Sequence, residues 1–176
     1  MRALEFILST LFDLYIITFV LRFMLQWTRA DFSNPLSQFI FQLTNPLVRP
    51  VRRFVPGFRG IDFSTLLIAY LLTVLASVVS NLVLGQPIVN VPGLLLGSLI
   101  ALGFMFLQIM MFLIIGQVLL SWFAPYHPVS EVLRTLTAPV LRPIQKIVPP
   151  IAGIDLSPLF ALLAIQAFII LLSEWM

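Results

Sequence analysis

Long apolar stretches alternate along this chain with shorter polar segments rich in proline. Four proline-free blocks are almost wholly apolar: Leu4 to Leu25, Phe63 to Leu84, Gly93 to Leu120 and Leu159 to Leu172. Lipid-facing backbone must satisfy its own hydrogen bonds as helix, and an internal proline removes one, so these blocks mark membrane spans. The first three reach the roughly 20 residues that cross a hydrocarbon core of about 30 Å. The fourth reaches span length as 156–173, with Ser157 as N-cap and Pro158 at the first helical position, where a missing N–H costs nothing. The third, 93–120, is roughly 42 Å long as helix and is expected to tilt, bend near Gly103 or begin in the interface. No Asp, Glu, Lys or Arg occurs between Asp62 and Glu131, so that stretch crosses twice.

Between spans the apolar period changes. Leu36, Phe39, Ile40, Leu43, Leu47, Val51 and Phe54 share one helical face, and the spacing returns at Val129, Val132, Leu133, Leu136, Val140, Ile144 and Ile147. Gln38, Gln42, Asn45, Arg49, Arg52 and Arg53 take the opposite face. Pro46 and Pro50, like Pro139 and Pro143, predict that segments 33–56 and 127–149 each break into two short interfacial pieces with basic groups toward headgroups.

Composition sharpens this picture. Apolar residues make up 60% and charged ones 10%, with a mean hydropathy of +1.08, against roughly 25% charged in soluble domains. The chain is therefore an integral membrane protein. With no cysteine and one histidine, disulfide frameworks, thiolate metal sites and His-cluster metal sites are excluded, and no cofactor is expected. Ten Lys plus Arg against seven Asp plus Glu leave only +3, too small an excess to point to nucleic acid. Asp13 interrupts the first apolar run and no small-residue cleavage site precedes Trp27, so the N-terminus is expected to be retained.

Arg29, Arg49, Arg52, Arg53 and Arg59 lie between the first two spans, and Arg134, Arg142 and Lys146 between the last two; the middle loop has no charge. Both basic loops are expected to be cytoplasmic, with the termini outside. Arg22, closing the first span, agrees with that orientation.

Sliding the chain by 93 residues aligns Leu43–Leu66 with Leu136–Leu159 without a gap, and 12 of the 24 positions are identical. Upstream, Trp27 corresponds to Trp122 with a two-residue insertion in the first copy, each at a span end where indoles prefer to lie. The expected architecture is all-α: four transmembrane helices as two parallel repeats, 1–86 and 93–176, each a span, a basic interfacial segment and a span. Parallel repeats place a pseudo-two-fold axis along the membrane normal.

Arg49-Pro50 with Gly60-Ile61-Asp62-Phe63-Ser64, and Ser121-Trp122-Phe123-Ala124-Pro125 followed by Thr137 to Pro143 and Gly153 to Pro158, resemble the YggT family of small membrane proteins. The resemblance covers nearly the whole chain through paired Pro-x-x-Arg-Pro and Gly-x-Asp-x-Ser motifs. It implies associations with osmotic-stress tolerance and cell-division gene neighbourhoods in bacteria, and with b-type cytochrome assembly and nucleoid distribution in plastids. It also implies a bacterial cytoplasmic (inner) membrane location. The first copy departs from the full motif, with Thr65 where the second has Pro158.

Several residues stand out as candidates. Arg49 and Asp62, like Arg142 and Asp155, are 13 apart, so each repeat can close its loop with an ion pair; alternatively the aspartates favour the N-termini of spans two and four. Arg49, Arg52, Arg53, Arg142 and Lys146 are candidate docking groups for anionic headgroups or a partner, or only satisfy the positive-inside bias. Ser64 and Ser157 complete the motif. Asp13 lies mid-span without a counterpart in the second copy, marking either an ion or proton path or a carboxyl bonded to Gln108, Gln117 or Asn81. Gly93, Gly97 and Ala101 form a small-residue ridge suited to helix approach, within the chain or between protomers. His127 is read as an interfacial loop residue. Two functions follow: a non-enzymatic assembly or scaffold factor docking lipids, a membrane-protein partner or its own copies through basic loops, or an oligomeric channel or transport component with Asp13 near the path.

Overall fold

The structure, a computed structural model, describes residues 2–57, 60–148 and 155–174. Arg59 and the Gly153-Ile154 half of the second motif lie outside the described residues. Six α-helices account for most of the rest: α1 Arg2–Trp27, α2 Pro35–Arg52, α3 Phe63–Leu84, α4 Val91–Phe123, α5 Pro128–Ile147 and α6 Ser157–Ser173. The all-α class expected from the apolar pattern is the one found.

Three helices, α1, α3 and α4, are long and apolar enough to cross a membrane, while α6 is apolar but only 17 residues long. Rows of large apolar side chains stay uncovered, among them Phe6, Leu11 and Leu14 on α1, Leu71 and Leu75 on α3, Phe112 on α4, and Leu163 and Phe168 on α6. Such a surface suits acyl chains and not water. A shared core joins the halves: Ile16, Val20 and Met24 of α1 belong to one cluster with Ile109, Met110 and Ile114 of α4, Leu136 of α5 and Ile165 of α6. A smaller cluster seats Phe19 of α1 against Val48 of α2 and Ile68 and Ala69 of α3.

Helix ends follow local chemistry. Gly85, at φ 71°, closes α3 and lets the Gln86 N–H reach the Asn81 carbonyl at 2.9 Å. After α1 the same left-handed turn is made by Arg29 at φ 55°, with the Ala30 N–H on the Leu25 carbonyl at 2.9 Å. A non-glycine there costs about 1–2 kcal/mol. The third apolar block is one helix through Gly103, starting at Val91 under an Asn90 cap.

Three features correct or add to the expectations. First, α2 and α5 are each a single helix despite Pro46 and Pro50, and Pro139 and Pro143. Four-residue spacing keeps each pair on one stripe, all four rings are exposed, and of the four freed carbonyls those of Gln42, Pro46 and Pro139 belong to exposed residues and that of Thr135 to a half-buried one, so the lost bonds fall mostly on the outer side. Second, the face of α2 that packs inward is Ser37, Ile40, Thr44 and Val48, whereas Phe39, Leu43 and Leu47 of the apolar stripe remain exposed. Third, α6 is capped by Leu156 without a side-chain bond, and Ser157 is its first residue with Pro158 following. The Ser157 hydroxyl is buried and has no partner among the described residues.

Candidate functional site

Each amphipathic helix is tied to its neighbours by two polar fastenings. In the first half, Arg22 of α1 is 2% exposed and donates from Nη1 to Thr44 Oγ1 at 2.7 Å and Asn45 Oδ1 at 2.9 Å. Its guanidinium carbon sits 4.5 Å from the Phe41 ring centroid, a cation–π stack. Thr44 completes its own valence by donating to the Ile40 carbonyl at 2.6 Å. The second fastening joins the end of α2 to the start of α3: Arg52 pairs with Asp62. Asp62 also accepts from Ser64 Oγ and Thr65 Oγ1 at 2.7 Å each and caps α3 through the Thr65 N–H at 3.4 Å. Burial alone would raise this carboxyl, but the two hydroxyls and Arg52 outweigh it and hold its pKa at about 2.

The second half repeats both fastenings with amides. Thr137 on α5, fully buried, donates to Gln117 Oε1 on α4, and Gln145 Nε2 donates to Asp155 Oδ2 at 2.9 Å. The Ser157 N–H adds a bond to Asp155 Oδ1 at 2.9 Å. Burial raises the Asp155 carboxyl less than the bonds from Ser157 and Gln145 lower it, so its pKa falls below the ordinary carboxylate value. Gln117 stands 95 residues after Arg22, the offset that relates the two tryptophans, and Gln145 stands 93 after Arg52.

The ion pair expected between Arg49 and Asp62 thus goes to Arg52, and the place expected for Arg142 at Asp155 goes to Gln145. The cause is the unbroken helix, which carries the chain to a residue three positions on before the turn. Arg49, Arg53, Arg142 and Lys146 are exposed, and none of them has an acidic partner among the described residues. Ser64 and Ser157 are fully buried at the matching helix starts. Asn34 links the halves: its Oδ1 caps α2 through the Leu36 N–H at 2.9 Å, while its Nδ2 donates to the Pro128 carbonyl at 3.1 Å. His127 caps α5, its Nδ1 accepting from the Val129 N–H at 3.2 Å.

Asp13 opens onto a cavity of about 360 Å³ between α1, α3 and α4, where Ser9, Thr73, Ser77, Ser80 and Asn81 are the polar neighbours. It is brought near neither Gln108, which is exposed on α4, nor Gln117, which is bonded to Thr137. Of the ridge, Gly93 lies against the Asn90 cap, Gly97 faces open space and Ala101 is exposed at the Asp13 cavity, so no helix of this chain uses it as a close-approach surface. Sequence reasoning missed Arg22, Thr44, Thr137, Gln145 and Asn34 as fastening residues. Extending the tryptophan correspondence inward sets Arg22 opposite Gln117, the signal that would have found the first.

The family model described as CCB3/YggT matches residues 1–83 and 96–176. An uncharacterized protein of Pseudomonas aeruginosa is 42% identical over 167 residues, covering 93% of this chain and 85% of that protein. The uncharacterized protein YggT of Escherichia coli K12 is 36% identical over 165 residues, covering 93% and 85%. YlmG homolog protein 2, chloroplastic, of Arabidopsis thaliana is 36% identical over 64 residues, 36% of this chain and 26% of that protein. No solved structure matches the chain.

Proposed function

The chain belongs to the CCB3/YggT family, and from that premise we propose that it is a non-enzymatic docking scaffold of the bacterial inner membrane. In this reading α6 is a fourth crossing, the two halves are parallel repeats, and both basic helices lie on the cytoplasmic face. The observation that carries it is the division of labour on α2 and α5. Thr44, Arg52, Thr137 and Gln145 hold the helices inward, while Arg49, Arg53, Arg142 and Lys146 stay outward on a rigid support. Cations held at fixed spacing beside headgroups suit anionic lipid or an acidic partner, and a role in osmotic-stress homeostasis follows if that partner is an envelope assembly. Photocrosslinkers at positions 53 and 142 in living cells test it. The expected result is a defined protein or lipid adduct at both positions that is missing from lipid-facing position 112; indistinguishable adducts at all three defeat the docking role. Reporter fusions that place residues 49 and 142 on opposite sides defeat the topology.

A second reading, an oligomeric transport component, draws on the Asp13 cavity and its hydroxyl and amide neighbours. Conductance in planar bilayers that disappears with Asp13→Asn supports it, and electrical silence removes it.

A further inference from the structure

The contact that holds α5 to α4 is looser than the one that holds α2 to α1, and the difference leaves space. In the first half Arg22, Asn45 and Phe41 fill the gap between α1 and α2. Their counterparts are Gln117, Ala138 and Arg134: a shorter side chain, a methyl group, and a guanidinium that turns outward with its side chain 73% exposed. The result is a cavity of about 420 Å³ along the flank of α5, whose lining includes Gln117, Arg134, Ala138 and Arg142 together with the carboxylates of Glu131 and Asp155. At about 30 Å³ per water, this is room for much more than ordered solvent.

We propose that this cavity binds the headgroup of a phospholipid, with the phosphate between Arg134 and Arg142 and the headgroup's ammonium or hydroxyl on Asp155. Gln117 gives its carbonyl oxygen to Thr137, which leaves its NH2 as a donor toward the cavity. Arg142 has no acidic partner among the described residues, and the bond from Arg134 to Glu131 is a long 3.7 Å between exposed groups. Both guanidiniums are therefore available for charge-assisted bonds to phosphate oxygens. A lipid is favoured over a soluble ester by position. Gln117 lies within α4 six residues before its end at Phe123, and exposed Trp122 and Phe123 give that end of the helix apolar surface for acyl chains. A neighbouring cavity of about 420 Å³ shares Gln117, Glu131 and Arg134 and extends toward Tyr126.

This inference rests on the reading that α5 lies at headgroup level, and the test separates the two. The full chain is purified from nanodiscs of phosphatidylethanolamine and phosphatidylglycerol, exchanged into detergent, and its retained lipid measured by native mass spectrometry. A single tightly held phospholipid per chain is expected. Arg134→Gln with Arg142→Gln lowers its occupancy by about tenfold or more, and Ala138→Phe, which fills the cavity without touching a charge, does the same. Arg2→Gln with Arg29→Gln, an equal loss of exposed charge outside α2 and α5, leaves it unchanged. Equal losses from both double variants, or no retained lipid, overturns the site. So does binding of sn-glycerol 3-phosphate in lipid-free detergent with the same arginine dependence, which makes the ligand a soluble ester. Crosslinks from position 53 are untouched by loss of the lipid site, so docking on α2 survives or fails separately.

Discussion

In the first half of the chain Arg22 reaches Thr44 and Arg52 reaches Asp62; in the second, Gln117 reaches Thr137 and Gln145 reaches Asp155. Carrying the tryptophan offset further inward sets Asp13 opposite Gln108, so the acid described above as lacking a counterpart has an amide in its place. Three charged positions of one copy are glutamines in the other. The contacts survive while the charge is lost, Gln145 donating as Arg52 does but Gln117 accepting where Arg22 donates, and the filling changes with them. A guanidinium long enough to stack on Phe41 fills the space between α1 and α2, so the cavity of that half, about 390 Å³, lies beside Arg52 and Asp62 instead, whereas an amide leaves open the space along α5. The two halves keep corresponding contacts and differ in where the space is left.

The comparison can be broken at its largest difference first. Arg22→Ala empties a fully packed position and is expected to cost about 2–4 kcal/mol, against about 1 kcal/mol for Gln117→Ala, which loses one hydrogen bond beside an existing cavity. Reversible unfolding of each variant in mixed micelles measures both, and equal costs would erase the distinction between the packed contact at Arg22 and the open one at Gln117.

Next come the acids. Asp62→Asn removes the Arg52 pair and weakens the bonds from Ser64 and Thr65, for about 2 kcal/mol, whereas exposed Asp155 loses less than half as much on the same change. Thermal melts of the two variants rank them, and a larger loss at Asp155 contradicts the assignment.

The same contrast appears with pH. The Asp62 pKa falls from 3.8 in the unfolded chain to about 2 when folded. Its stabilisation, on the order of 1–2 kcal/mol with Arg52 half-exposed, is therefore complete above pH 3.8 and is lost as pH falls toward 2. Asp155 shifts in the same direction and contributes less because it is exposed. Hydrogen exchange is expected to show the start of α3 loosening in acid before that of α6 responds comparably. The reverse order refutes it.

The smallest effect sharpens the comparison. Arg52→Gln converts the first half to the second half's chemistry and is expected to cost about 0.5–1 kcal/mol, because the Arg52 side chain is 45% exposed. A double-mutant cycle with Asp62→Asn reads the pair directly.

Much of the helix layout was legible because lipid imposes a one-dimensional rule: apolar blocks without proline are α1, α3, α4 and α6. The Asn34 and His127 positions ahead of Pro35 and Pro128 start α2 and α5 in the usual way. What failed was the meaning of proline inside an amphipathic helix. Pro46 and Pro50 read as breakers only while the side their carbonyls face is left out, and the Arg49–Asp62 pair rests on a 13-residue spacing shared with Arg142 and Asp155, whereas α2 brings Arg52 to Asp62. Ser37 and Thr44 were hidden for a related reason. Hydrophobic periodicity finds the stripe that stays uncovered, Phe39, Leu43 and Leu47, whereas the contact inside the protein is made partly by hydroxyls satisfied by their own helix or by Arg22. Arg22 itself was read as a topological marker, because span-end cations usually snorkel outward; its inward partners are brought there only by folding.

Asn34 has one further implication. A single carboxamide caps α2 and grips the first residue of α5 across 3.1 Å, so the two cationic ridges share a common origin, like the legs of a pair of callipers joined at the pivot. Anything that touches both ridges is measured against a spacing set at that joint by the protein itself, whatever the surrounding bilayer does.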